Sequence, residues 1–252
     1  MLNWLDWLPE NVSTYGADVD AVIALIWYNT VAWFFLTFGA IGLFLVLYRR
    51  RAGRPAAYVK GERLGEALWV LVPVAVVLVI DLWLDFSGAP VWAKVKLERP
   101  PAALSIQVTG KQFAWEVVYP GPDGRFGTAD DKLFLDEIHV PVNRPVRVVL
   151  RAKDVIHSFF LPNLRLKQDM VPGREIGAWF DATKPGKYEW PCAELCGFGH
   201  SGMKGWIYVH TAEEYAKWAT ANLAPGEAAP AAPAEDKKDD KPQSNTEGKP
   251  KS

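Results

Sequence analysis

The spacing of apolar residues divides the chain into segments of different period. Residues 21–48 form an uncharged apolar run, longer than the roughly 20 residues that cross a hydrocarbon core. A second run, 67–86, is interrupted by Pro73 and Asp81; packed membrane helices tolerate such a proline. Asn29, Thr30 and Thr37 in the first run are expected to face a neighbouring helix rather than lipid. Between the runs, Arg49, Arg50, Arg51, Arg54, Lys60 and Arg63 stand against Glu62. A short loop this basic marks the cytoplasmic side. The pattern predicts a transmembrane helical hairpin over 21–93, with helices at about 21–48 and 67–86, a cytoplasmic loop at 49–66 and an external segment at 1–20.

From about Lys94 the period becomes two. Leu104–Thr109 and Val146–Arg151 alternate cleanly, and Trp206–Val209, Ile176–Phe180 and Lys187–Trp190 are further candidate strands. Prolines and glycines punctuate the segment at 120–122, 141, 145, 162, 172–173 and 185–186. Many short strands broken this way predict an all-β Greek-key sandwich over 94–223. Thr211 with Glu214 three residues on predicts a capped helix running to about Asn222. Residues 224–252 carry no aromatic side chain and cannot bury enough apolar surface to fold, so a disordered tail is expected there.

Charge sharpens this picture. The formal net charge of -1 and the lack of a basic-aromatic face argue against nucleic acid as a partner. No Lys or Arg occurs through Tyr48, so no positively charged leader region precedes the first apolar run. Asp6, Glu10, Asp18 and Asp20 precede it instead, as suits an N-terminus outside the membrane.

The candidate chemistry is concentrated in Cys192–Met203. This stretch holds both cysteines of the chain together with Glu194, His200 and Met203. Two thiolates, an imidazole and a thioether favour copper or zinc over magnesium or calcium. Gly197, Gly199 and Gly202 would let the loop fold back on itself. A second imidazole would complete the site, and His157, just after the 146–151 strand, is the best donor. A structural zinc on Cys192, Cys196, His200 and His157 fits fourfold coordination, and a local disulfide suits an oxidising compartment. Neither uses every donor. His139 and His210 lie in strand-like contexts and are read as structural. Asp123, Asp130 and Asp131 sit in an expanded turn over 120–131 that lacks EF-hand spacing.

Together, the hairpin, the β-rich segment, Asp154-Val155-Ile156-His157-Ser158 and the Cys-x-Glu-x-Cys-x-x-x-His-x-x-Met loop resemble subunit II of haem-copper cytochrome c oxidases across about 21–222. The resemblance implies a cupredoxin-like domain holding a dinuclear copper centre, CuA. It implies that Cys192 and Cys196 bridge the coppers, His157 and His200 bind one each, Met203 gives a thioether and Glu194 its main-chain carbonyl. The Glu194 side chain would also reach a magnesium or manganese shared with subunit I. Haem belongs to the partner subunit only. Implied partners are subunit I, other oxidase subunits, membrane lipid and a cytochrome c-type donor, in a bacterial-type inner membrane with the copper domain on the periplasmic side. Glu66, with Glu62 as a competitor, would sit at the mouth of a proton pathway. In Gly110-Lys111-Gln112-Phe113-Ala114-Trp115 the first of two family tryptophans is Phe113, while Trp115 is kept; both positions belong to the electron-uptake region. Residues 94–223 hold 17 Lys+Arg and 15 Asp+Glu, a net of +2, so a basic donor would need a local acidic patch such as Asp123, Asp130, Asp131, Asp136 and Glu137. The expected function is electron transfer to subunit I for oxygen reduction coupled to proton translocation, the oxidoreductase active site lying outside this chain. A CuA subunit of a nitric oxide reductase, and a copper-delivery or structural-zinc membrane protein, are the rival readings.

Overall fold

The computed structural model describes residues 7–53, 55 and 58–223. The tail read as disordered, 224–252, lies outside the described residues, as does Arg54 of the basic loop. Two helices come first, α1 (Gly16–Leu47) and α2 (Leu64–Trp92). No part of the most apolar stretch of either is buried within the chain, which leaves their faces to lipid or to other helices. At 32 residues and about 1.5 Å per residue, α1 is longer than a roughly 30 Å hydrocarbon core, so it begins ahead of the apolar run. α2 passes through Pro73 and Pro90 and ends in a wider π-helical turn, Ala93–Leu97. Pro100 and Pro101 then forbid further helix.

The remainder is a two-layered β-sandwich closed by a short helix, which meets the expectation of a hairpin followed by an all-β domain. One sheet has the order β3-β2-β1-β5-β8, with β1 (Leu104–Lys111), β2 (Ala114–Tyr119), β3 (Lys132–Leu135), β5 (Val146–Ala152) and β8 (Ile176–Phe180). The second layer holds β4 (Glu137–Pro141), β10 (Lys204–His210) and β9 (Gly186–Pro191) in the order β4-β10-β9, and the pair β6 (His157–Leu161) and β7 (Leu166–Met170). A bridge between Phe159 and Cys192 joins β6 to the end of β9. The parallel pairs β1/β5 and β4/β10 require the long connections of a Greek key rather than a meander. Alternation places Ile106, Val108, Trp115, Val117, Val148 and Leu150 inward from the first sheet, against Ile138, Phe159, Trp190 and Ile207 from the second layer. β6 and β7 escape a period-two reading: β6 is buried along nearly its whole length and β7 reads Leu-Lys-Gln-Asp-Met, so neither alternates.

The segment before α1 belongs to the sandwich. Val12 and Tyr15 are fully buried in its core. The Val12 N–H donates to the Asn163 carbonyl at 2.8 Å, and the Thr183 N–H donates to the Val12 carbonyl at 2.8 Å. The Tyr15 hydroxyl donates to the Trp179 carbonyl at 3.2 Å, and its ring meets the Trp179 ring edge-on at 5.2 Å. Arg165 holds Asp20 at 2.6 Å and Lys94 holds Asp18 at 2.7 Å. These contacts tie the end of the hairpin away from its basic loop to the β domain.

α3 (Ala212–Asn222) carries the expected capping box: the Glu214 N–H donates to Thr211 Oγ1 at 3.3 Å, and the Thr211 N–H donates to Glu214 Oε2 at 2.9 Å. Beside it His139 stacks between Tyr208, at 4.6 Å and 6°, and Trp218, at 4.4 Å and 11°. His139 Nδ1 lies 2.9 Å from His210 Nε2, a contact that needs one ring to donate and the other to accept. Burial, against the pull of Glu137, holds His139 below its ordinary range; burial does the same to His210 against Glu214. Both imidazoles are therefore neutral in the fold and take up protons more readily when unfolded. Stability contributed by this pair is complete above the unfolded histidine pKa of about 6.5 and is lost as pH falls below it. The midpoint of thermal unfolding is expected to drop between pH 7 and 5, and His210→Gln should flatten that decline.

Candidate metal centre

The Cys192–Met203 loop connects β9 to β10, and its two ends are fastened together. The Cys192 N–H donates to the Met203 carbonyl at 3.0 Å, and the Ala193 N–H donates to the Ser158 carbonyl of β6 at 3.2 Å. The loop closes in a turn of 3-10 helix, His200–Gly202, with the Met203 N–H donating to the His200 carbonyl at 3.1 Å. Two of its glycines have structural reasons. Gly197 has φ of +133°, and a Cβ on Gly199 would sit 2.5 Å from the Phe113 ring. Gly202 has neither feature, so it does not impose the bend the sequence attributes to it.

The fold brings the expected donors together. The ligating atoms of His157, Cys192 and Cys196 lie within 4.8 Å of one another, and all three residues are buried. Cys196 Sγ is 4.0 Å from Cys192 Sγ, 3.6 Å from His200 Nδ1 and 3.7 Å from Met203 Sδ. The Glu194 carbonyl oxygen is 3.3 Å from Cys192 Sγ. A disulfide would need a sulfur separation of about 2.05 Å; both thiols are free. Burial first, and then the neighbouring Cys192, push the Cys196 thiol up to about 11. Two adjacent buried thiols resist becoming thiolates unless a cation joins them.

Whether a soft metal fits is tested by His157. Its ring is fully buried, Nε2 meets Asp154 Oδ1 at 2.8 Å, and Nδ1 has no hydrogen-bond partner. A buried imidazole nitrogen left without a partner is costly. It is the expected state of a ligating nitrogen whose opposite nitrogen is fixed by a carboxylate. The donor set therefore fits copper.

Two residues near the centre carry roles the sequence did not reveal. Asp154 accepts from the Gln112 N–H at 2.7 Å and the Val155 N–H at 2.7 Å as well as meeting His157. Burial raises its pKa, but the hydrogen bonds from His157, Gln112 and Val155 outweigh this and keep the carboxyl below its usual range. Gln112 donates through Nε2 to the Cys196 carbonyl at 2.6 Å. Asp154 stands three positions before His157, a spacing visible in the sequence; the Gln112 contact joins residues 84 apart and left no local signal. Asp154→Ala should lower copper affinity by roughly 10–100-fold, the usual range for a lost outer partner of a metal histidine, as measured by competition titration against a chelator.

The remaining expected positions separate. Phe113 is 40% exposed and its ring lies over Gly197 and Gly199 of the loop. Trp115 is fully buried, edge-on to His157 at 5.9 Å and stacked on Trp190 at 4.8 Å. Leu195 and Phe198 project from the loop, 76% and 107% exposed. Glu66 lies in the first turn of α2 and accepts from the Gly61 N–H at 2.8 Å, far along the chain from the centre. Glu62 is exposed.

Residues 130–210 match the family model described as cytochrome C oxidase subunit II, periplasmic domain. The cytochrome c oxidase subunit 2 of Thermostichus vulcanus is 32% identical over 267 residues, covering 86% of this chain and 79% of that protein. The protein of the same description from Synechocystis sp. is 45% identical over 119 residues, which cover 47% of this chain and 33% of the Synechocystis protein. This chain thus spans about a third of that relative's length in the matched region. The crystal structure of the periplasmic domain of subunit II of cytochrome oxidase (CoxB) of Bradyrhizobium japonicum is 35% identical, with a TM-score of 0.44, over 49% of this chain and 95% of that one.

Proposed function

This chain belongs to the cytochrome c oxidase subunit 2 family, and from that premise we propose that it is the electron-accepting subunit of a membrane terminal oxidase. It takes single electrons from a cytochrome c-type donor and delivers them toward a haem in subunit I, where oxygen is reduced and protons are translocated. The domain limits proposed are an external segment at 1–20, whose Val12 and Tyr15 pack into the copper domain and whose last residues already belong to α1, a hairpin at 21–93 and the copper domain at 94–223. The N-terminus and the copper domain lie on the periplasmic side of the inner membrane, with the basic loop 49–66 in the cytoplasm.

The observation that carries this reading is the number and kind of donors at one point. Cys192, Cys196, His157, His200, Met203 and the Glu194 carbonyl exceed what one tetrahedral zinc uses. A dinuclear copper centre held by them would supply one-electron redox chemistry. The protein's part is to keep the donors still. Asp154 orients His157, Gln112 fixes the Cys196 carbonyl, and the Cys192–Met203 hydrogen bond closes the loop on a sandwich core. Such rigidity limits the rearrangement that accompanies a change of charge. On the donor side, Phe113 offers an exposed aromatic edge against the loop, and Trp115 supports His157 from within. On the outgoing side, His200 lies only partly buried, and Leu195 and Phe198 of the same loop are exposed apolar side chains of the kind suited to docking against subunit I. The Glu194 carboxylate is assigned to a magnesium or manganese ion at that border, and Glu66 to the mouth of the proton pathway.

The test is the electron paramagnetic resonance spectrum of the full chain loaded with copper in detergent. A purple protein with one unpaired electron shared by two coppers is expected. A colourless protein retaining one zinc per chain would sink the reading.

A further inference from the structure

A groove of about 870 Å³ lies where the outer ends of α1 and α2 meet the sandwich. The helices make its wall apolar, with Val22 from α1 and Leu84, Val91 and Trp92 from α2. The turn after α2 and the start of β7 make its rim cationic, with Lys96, Arg165 and Lys167, while Asp85 is the carboxylate on the wall. Arg165 is already committed, to Asp20 and to the carbonyls of Pro162 and Pro9. Lys96 is not. Its ammonium donates to the Lys167 carbonyl at 2.7 Å and to Gln168 Oε1 at 2.9 Å; both acceptors are neutral, and a third proton is left to give. Lys167 reaches Asp169 at 3.3 Å from a side chain that is 49% exposed, so it can turn toward the groove.

An apolar channel level with the ends of two membrane helices, passing into a rim where Lys96 makes no salt bridge among the described residues and lies 5.8 Å from the centre of the Trp92 ring, matches the two halves of a phospholipid. We propose that the groove binds an anionic phospholipid, its phosphate against Lys96 and Lys167 and an acyl chain along Val22, Leu84 and Val91. The proposal rests on α1 and α2 spanning a membrane. The lipid would fill the angle between hairpin and sandwich, beside the Asp20–Arg165 and Asp18–Lys94 pairs that hold the same junction.

The test uses the full chain, delipidated in detergent and titrated by native mass spectrometry with phosphatidylglycerol and with phosphatidylcholine of the same acyl chains. Near a membrane surface each lysine contributes roughly fivefold to anion preference, so about 25-fold in favour of phosphatidylglycerol is expected for two. Lys96→Gln with Lys167→Gln should abolish the preference. Because Lys96 also braces β7, Lys167→Gln alone must lower it as well. Gly88, also on the groove, has open space where a side chain would project, so Gly88→Phe should fill the channel and weaken both lipids. Equal binding of the two lipids, a preference that survives the double variant, or displacement of phosphatidylglycerol by inorganic phosphate would overturn the proposal. So would an assembled oxidase in which Gly88→Cys cross-links to another subunit and no phosphatidylglycerol is retained. Release of the chain from membranes by alkaline carbonate would instead remove the premise that the helices span.

Discussion

Cys196→Ser is expected to abolish the mixed-valence signal of the copper-loaded chain and to lower copper affinity by more than the roughly 100-fold upper range of outer-shell changes. Cys196 is the hub of the donor set: its sulfur lies within 4.0 Å of Cys192 Sγ, His200 Nδ1 and Met203 Sδ. Serine keeps the size of the side chain but replaces a soft, ionisable sulfur with a hard hydroxyl that does not deprotonate near neutral pH. The loop should still close, because the Cys192–Met203 backbone bond and the 3-10 turn do not involve the Cys196 side chain. Electron uptake from reduced cytochrome c, followed by stopped-flow absorbance in the assembled complex, should fall to background. Uptake at the native rate with the variant would refute the assignment of the donor set.

The second large effect is structural. Tyr15→Ala should destabilise the β domain by about 3–5 kcal/mol, the range for deleting a buried aromatic side chain. Tyr15 is fully buried, packs against Trp179 and satisfies the Trp179 carbonyl, so its removal leaves both a void and an acceptor without its donor. Urea unfolding of the full chain, followed by the copper absorbance, is the measurement. A loss under about 1 kcal/mol, typical of surface substitutions, would mean that the segment rests on the domain without being part of its core. Phe113→Ala is a useful contrast: at 40% exposure it should leave stability nearly unchanged while slowing electron uptake.

The two sites differ in how much of them could be read from residues alone. Cys192, Glu194, Cys196, His200 and Met203 are close in the chain, so their convergence needs only one loop to bend. His157 was legible through its neighbours Asp154 and Ser158. The strands that alternate, β1 and β5, were equally plain, because one face of each is buried and the other is not. β6 was hidden by being buried on nearly every side, and the Val12–Tyr15 segment by its polar surroundings, which read as an external segment. The expectation for residues 1–20 contained no hint that Val12 and Tyr15 complete the core of a domain starting some eighty residues later.

By itself, the sequence determined the apolar hairpin, the charge asymmetry of its loop, the β-rich domain and the soft donor set. Each of these is a local matter of period, length or ligand chemistry. The tertiary structure alone decided which imidazole nitrogen of His157 is left for a metal, that Gln112 grips the Cys196 carbonyl, that Phe113 covers the loop while Trp115 is buried, and that a cationic groove opens beside the hairpin. The physical reason is the same in each case. These features depend on contacts between residues distant in the chain, and only the packing of the two β layers against each other and against the helix ends sets those distances.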